Sequence, residues 1–251
     1  MVNEVKMLKH LKLTAEEREE TNHPALKFLR LADEILELDN PETGDHHYCI
    51  VSRPQGNSIR TLQDQFPGGI LPRIIVKTIV HQLIIGLNWL HTCGGVVHTG
   101  NFSSSISLPV NRVLTMIDIL PQNILISIDN DSIGLKEVEE QETKDPSVPI
   151  ITRDGNGTEC GIVYRSRSTR LELAGHPVLT DFGQMRLLDD GEFSDWWMPD
   201  LYRAPEILLQ LPWSCPVDMW SVGIMVSLHG LQHMTFKLRV VELTVFTRFS
   251  N

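Results

Sequence analysis

The apolar positions of the chain fall into short stretches that can be read one at a time. Between residues 3 and 12, Val5, Leu8 and Leu11 recur at helical spacing with lysines on the other side, which predicts an amphipathic helix almost from the first residue. HHYCIVS at 46–52 is a compact apolar run suited to a buried strand, and Pro54-Gln55-Gly56 ends it in a turn or hinge. The clearest periodicity begins at Leu71. Pro72 fits a first helical turn, Ile75, Ile79, Leu83, Leu87 and Leu90 follow at helical intervals, and Cys93-Gly94-Gly95 stops the helix. ILISI at 124–128 and PVLT at 177–180 read as short strands. The stretch between them, 129–175, is polar and charged, with the acidic run EVEEQE, and is expected to be a surface insertion with little fixed structure.

Composition narrows the field without fixing a fold. With 251 residues, 41% of them hydrophobic, the chain can build one large domain or two small ones, and disorder throughout is excluded. Thirty-two acidic residues against 22 basic ones give a formal charge of −10, which argues against direct nucleic-acid binding and favours cationic partners. Cys49, Cys93, Cys160 and Cys215 form no CxxC pair, and MVNEVKMLKHLK is no secretory signal, so an intracellular setting, cytoplasm or nucleus, is expected. The apolar helix over 71–91 carries Arg73, Lys77, His81 and Gln82, so no membrane span is expected.

Smaller features read plainly. His46-His47 has no carboxylate or cysteine at ligand spacing and marks the start of a strand rather than a metal site. Glu16, Glu17, Glu19 and Glu20 read as a solvated face, and Cys93 and Cys215 as buried thiols. Trp196-Trp197 either grips a substrate or packs on the domain beneath, and the sequence weighs the two equally.

Three clusters carry chemistry. Asp118-Ile119-Leu120-Pro121-Gln122-Asn123 sets an Asp and an Asn just ahead of a strand, and Asp181-Phe182-Gly183 follows another. Tyr202-Arg203-Ala204-Pro205-Glu206 comes next, and then Pro216-Val217-Asp218-Met219-Trp220-Ser221-Val222-Gly223. Each alone is weak, since an Asp before a turn is ordinarily a cap. In this order they form the pattern of a protein kinase C-lobe. NEVKMLKHL, VVHT with DILPQNILI, LTDFGQ, DLYRAPEILL and PWSCPVDMWSVGIM resemble the SR-protein kinase family and its fungal relatives, whose catalytic loop reads HTD. A family spacer between catalytic loop and DFG falls at 129–175, and the resemblance covers 1–226 apart from 100–117.

The resemblance implies an α+β, protein-kinase-like fold. Residues 1–56 would be the remnant of an incomplete N-lobe with the hinge, lacking the Gly-rich loop and the third N-lobe strand with its lysine. Residues 57–226 would be a truncated, mainly α-helical C-lobe, and 227–251 a tail outside the family pattern. It implies phosphoryl transfer from ATP to protein Ser/Thr with Mg²⁺, on an Arg/Ser-rich protein substrate. Asp118 would be the catalytic base, and Asn123 and Asp181 the Mg²⁺ ligands. ATP would also be bound through Glu4, the partner of the family's lysine, and through Ser52, Arg53, Pro54, Gln55 and Gly56, the hinge. Asp218 would brace the catalytic loop from below, with a plain N-cap as its alternative. Leu120 stands where the family has a lysine facing the γ-phosphate. Glu206 would lack its family arginine, and a buried carboxylate without its partner costs about 3–5 kcal/mol. With no GxGxxG and no VAIK-type lysine, this chain is expected to be inactive on its own. The alternative is a kinase fragment or pseudokinase-like binding module from a truncated or mis-spliced gene model.

Residues 100–117, GNFSSSISLPVNRVLTMI, interrupt the loop and have two readings. The first is translated intron. Gly100-Asn101 can encode a splice donor and Ile117-Asp118 an acceptor, excision between them leaves VVHTDILPQNILI in frame, and Val226-Ser227 can encode a second donor. The second is a genuine insertion, cheap in loop-closure entropy but placed inside the loop that forms the site. Transcripts that uniformly retain this stretch would exclude the intron.

Overall fold

In a computed structural model the described residues are 2–39, 44, 46–98, 119–128, 133–153, 158–164, 175–191, 193–198 and 202–229. Helix α1 (Val2–Glu17) runs past the expected 3–12, because the apolar spacing continues to Ala15; Val5, Met7, Leu8, Leu11 and Ala15 are all buried. A short turn of 3-10 helix, Leu26–Phe28, leads to strand β1 (Glu34–Asp39), which lies outside the strands that the pattern predicts. It pairs antiparallel with β2 (His46–Val51), from Glu34↔Val51 to Asp39↔His46. The expected strand at 46–52 therefore forms, but it is not buried. Only Tyr48 and Ile50 are half-covered, because a two-stranded ribbon packs on one face and turns alternate residues to solvent.

Strand β3 (Gln55–Ser58) follows the hinge and passes directly into α2 (Ile59–Gln63), whose first turn is capped by Ser58 accepting from the Thr61 N–H at 3.2 Å. Helix α3 (Arg73–Thr92) is the central core helix, with Val76, Ile79, Leu83, Leu87, Trp89 and Leu90 buried. Gly86 lets α3 approach the Leu26–Phe28 turn closely, since a Cβ there would stand 3.3 Å from Leu29 Cδ2 and 3.4 Å from Phe28 Cβ. Among the described residues α3 alone is long and apolar enough to cross a membrane, yet its apolar stripe is spent on this core.

Strand β4 (Val96–Val97) leads out of α3, and β5 (Ile124–Ser127) begins two residues after Gln122. The expectation of little fixed structure in 129–175 is corrected: α4 (Ile133–Lys144) is followed by a hairpin of β6 (Ile150–Arg153) and β7 (Glu159–Val163). The side-chain contacts seen among the described residues here are local. Lys144 meets Glu140 one turn back at 3.3 Å, Ser147 donates from backbone and hydroxyl to Glu142, and Ile150, Ile151 and Ile162 remain exposed.

Strand β8 (Pro177–Leu179) completes a three-stranded sheet of order β3-β5-β8, and β9 (Arg186–Leu187) pairs with β4. Helices α5 (Pro205–Leu208) and α6 (Pro216–His229) close the described chain. Helix α6 carries on past Val226, where the family pattern was expected to stop; residues 230–251 and 100–117 lie outside the described residues. One hydrophobic cluster joins α1, α3, β4, β5, β8 and α6.

Candidate active site

The three-stranded sheet brings two of the predicted site residues together. Asn123 stands just before β5 and Asp181 just after β8, and the pairing Ile124↔Leu179 sets both at the same end. The Thr180 N–H and hydroxyl both donate to the Asn123 carbonyl, at 2.9 and 3.1 Å. Asp181 has a left-handed backbone (φ 66), and its carboxylate accepts from the Asn123 side-chain amide at 3.4 Å. Asp is among the residues that tolerate this conformation, at a small cost.

Glu4 arrives from the first turn of α1. Asn3 holds that turn against the Asp181-Phe182-Gly183 bend, donating from its side-chain amide to the Gly183 and Met185 carbonyls at 2.8 and 3.1 Å. A Cβ at Gly183 would lie 3.5 Å from an Asp181 carboxylate oxygen and 4.0 Å from Glu4 Cβ. Burial pushes the Glu4 carboxyl above its ordinary range, and the Asp181 charge pushes it further, while the N-terminus and Arg30 pull it back. An Asp carboxylate and an Asn side chain, whose amide oxygen is a hard donor, are of the kind that hold Mg²⁺, and Glu4 adds negative charge beside them. Among the described residues no side chain forms a salt bridge with Glu4 or Asp181.

Below this corner lies a buried brace. Asp218, 2% exposed in the first turn of α6, accepts from the His98 backbone N–H at 2.8 Å and stands 2.8 Å from His91 Nε2. It therefore ties α6 to α3 and to the residue after β4, which a simple N-cap does not. The His98 ring is wholly buried, edge-on to Phe182 at 5.6 Å between centroids, and burial lowers its pKa. Sequence reasoning gave His98 no role of its own; its one signal was its place within VVHT, the first half of the HTD-type loop. Pairing of β4 with β9, Val97↔Arg186, holds this stretch beside the segment that follows Gly183.

Asp118, the predicted base, lies outside the described residues. Leu120 is 2% exposed and turned into the core. The hinge lies at the far end of the sheet: Ser52, Gln55 and Gly56 are half-buried, Arg53 and Pro54 exposed, and Gln55 pairs with Ser127. Four residues of β5 separate that pairing from Asn123, about 13 Å at the rise of a strand.

Other expectations meet mixed outcomes. Trp197 packs, with the Arg186 guanidinium 4.3 Å from its ring, whereas Trp196 remains 55% exposed under the Arg203 guanidinium at 4.1 Å. Arg186 also makes a two-pronged contact with Asp195 at 2.8 and 2.9 Å. Glu206 is half-buried rather than buried, because it opens α5 at the surface, so the expected penalty for a buried orphan carboxylate does not apply. Glu16, Glu17 and Glu19 are exposed, but Glu20 is half-covered and accepts from the Trp89 indole N–H at 2.8 Å, which together with Cys93 holds its carboxyl below the usual range. Cys93 and Cys215 are half-buried, and burial raises the Cys215 thiol pKa. His46 opens β2 and faces Asp39 at 2.6 Å across the hairpin.

Comparison with known proteins bears on this arrangement. No family model matches the chain. A serine/threonine protein kinase of Aspergillus fumigatus is 30% identical over 229 residues, 89% of this chain and 46% of that protein. The serine/threonine-protein kinase SRPK of Physarum polycephalum is 25% identical over 211 residues, 79% of this chain and 44% of the relative. Protein kinase dsk1 of Schizosaccharomyces pombe is 31% identical over 87 residues, 35% of this chain and 13% of the relative. The chain thus spans about half the length of the first two curated relatives. With Asn123 and Asp181 meeting where the motif order requires, the chain belongs to the protein kinase superfamily, among the SR-protein-kinase-like serine/threonine kinases.

Proposed function

We propose that the chain carries the metal and phosphate end of an ATP-dependent serine/threonine protein kinase site. The observation behind this reading is the meeting of Asn123 and Asp181 at 3.4 Å beside Glu4, at one end of a sheet whose other end is the hinge. Residues 1–56 serve as N-lobe remnant and hinge and 57–226 as C-lobe. Asn123 and Asp181 would hold Mg²⁺, which neutralises charge on the triphosphate when bound. Ser52 to Gly56 offer backbone groups to adenine, and Asp118 takes the proton of a protein Ser or Thr hydroxyl. The distance from hinge to acidic corner suits a nucleotide extended along the sheet. An Arg/Ser-rich protein substrate suits a chain of charge −10, and thiol cysteines at 49, 93 and 215 suit an intracellular setting.

One observation favours a second reading, a nucleotide-binding module that transfers no phosphate: Leu120 turns into the core where the family presents a lysine. Incubating the chain with ATP, Mg²⁺ and an Arg/Ser-repeat peptide separates the two. Peptide phosphorylation that falls by about a thousandfold or more in Asp181→Asn and in Asp118→Asn supports the kinase reading and overturns the inactivity expected of a chain without the Gly-rich loop and lysine. Mg²⁺-dependent ATP binding with no transfer supports the second reading, and absence of both contradicts each.

A further inference from the structure

A cavity of about 320 Å³ lies away from the acidic corner, between the Leu26–Phe28 turn, the hinge and the far end of the β3-β5-β8 sheet. Of the residues given to ATP and Mg²⁺, Glu4, Asn123 and Asp181 do not line it, whereas Arg53, Pro54 and Gln55 of the hinge do. Its cations are Lys27, Arg30 and Arg53, against one carboxylate, Asp33. Three cations and one anion leave two net positive charges on a chain whose overall charge is −10.

Among the described residues the only ion pair these cations form is Arg53 with Asp33, although the Arg30 charge reaches the Glu4 carboxylate at longer range. Arg30 has its Nε buried with no hydrogen-bond partner among the described residues, an uncompensated donor in a half-buried side chain. The Lys27 ammonium sits over the Phe28 ring at 5.0 Å and has no carboxylate within ion-pair distance among the described residues. Arg53 stands 3.9 Å from Asp33, with both side chains largely in solvent, an arrangement that contributes little and gives way to a stronger acceptor. His176 is a wall rather than a ligand group, because its two ring nitrogens are engaged by Ser127 Oγ and the Lys27 carbonyl, each at 2.9 Å. Leu29, Leu31 and Val178 supply an apolar side.

We propose that this cavity binds a small phosphomonoester. Two guanidinium groups from separate segments suit the oxygens of one phosphate, and its dianion matches the net charge of the lining. The volume is at the lower end for small-molecule sites, room for a phosphate and about one ring or short chain against the leucines. A bound phosphate would link Arg30, in the connection after α1, to Arg53 in the hinge.

Calorimetric titration of the full chain with phenyl phosphate at constant ionic strength tests this, with inorganic phosphate and phenol as separate arms. Saturable binding of phenyl phosphate is expected, tighter than either fragment. Arg53→Gln, a change at a solvent-facing side chain, and Arg30→Gln should each weaken it about tenfold. Lys136→Gln, on the exposed face of α4, should leave it unchanged, as should Asp181→Asn, which removes the candidate Mg²⁺ ligand. Absence of saturable binding, equal binding by Arg53→Gln and the unaltered chain, or loss of binding in Asp181→Asn would each overturn the proposal. Circular-dichroism melts of each variant keep a folding defect apart from a binding defect.

Discussion

Asp218 shows how one buried carboxylate can hold three elements at once. Its acceptors answer the His98 N–H and the His91 ring, from positions 120 and 127 residues away in the chain, and water cannot replace it at 2% exposure. Asp218→Ala should cost about 3 kcal/mol, read as a lower urea midpoint with an unchanged slope, because a buried donor loses its partner. Glu4 makes the opposite prediction. Its carboxyl is raised in the folded state, so the fold holds that proton more tightly than the unfolded chain does. The contribution of Glu4 to stability is therefore fully present below the ordinary carboxylate range and is lost as pH rises through the raised value. Glu4→Gln should remove that loss and melt higher than the unaltered chain at about pH 7 without divalent cation. A lower melting temperature for Glu4→Gln would contradict it. At this scale Asn123 and Asp181 were legible because their distances from strand runs are fixed by short motifs. The brace by Asp218 was also expected, through the resemblance, but its partners, the His98 N–H and the His91 ring, were not, since only the fold brings such distant positions together.

Helix α3 is the element on which the others rest. Leu87 is fully buried and Ile74, one residue into the same helix, is 70% exposed. Leu87→Ala should cost about 2–5 kcal/mol, whereas Ile74→Ala should stay within about 0.5 kcal/mol, both by chemical denaturation. Comparable losses at the two positions would contradict the core assigned to α3. This helix was readable because five apolar positions at helical spacing report one buried face. The HHYCIVS strand was located but its burial was not, because an apolar run looks alike whether a strand is covered on one face or two. The helix and hairpin within 129–175 were invisible for another reason. Polar and charged residues dominate the stretch, so the periodic apolar signal by which α3 was found is weak there.

On the scale of the whole molecule, one core supports a short sheet with an acidic corner at one end and a hinge at the other. Kinase chemistry rests on positioning and on charge rather than on a covalent intermediate, so the corner is the part that must work. The most direct measurement is the melting temperature with ATP alone, Mg²⁺ alone and both together, for the chain and for Asp181→Asn. Ligand at about a hundred times its dissociation constant adds about 2.7 kcal/mol, worth about 5–10 °C in a domain of this size. The account predicts one cooperative transition that rises by that amount only with ATP and Mg²⁺ together, and a rise that disappears in Asp181→Asn. No rise with both ligands, or an equal rise in the variant, would contradict it.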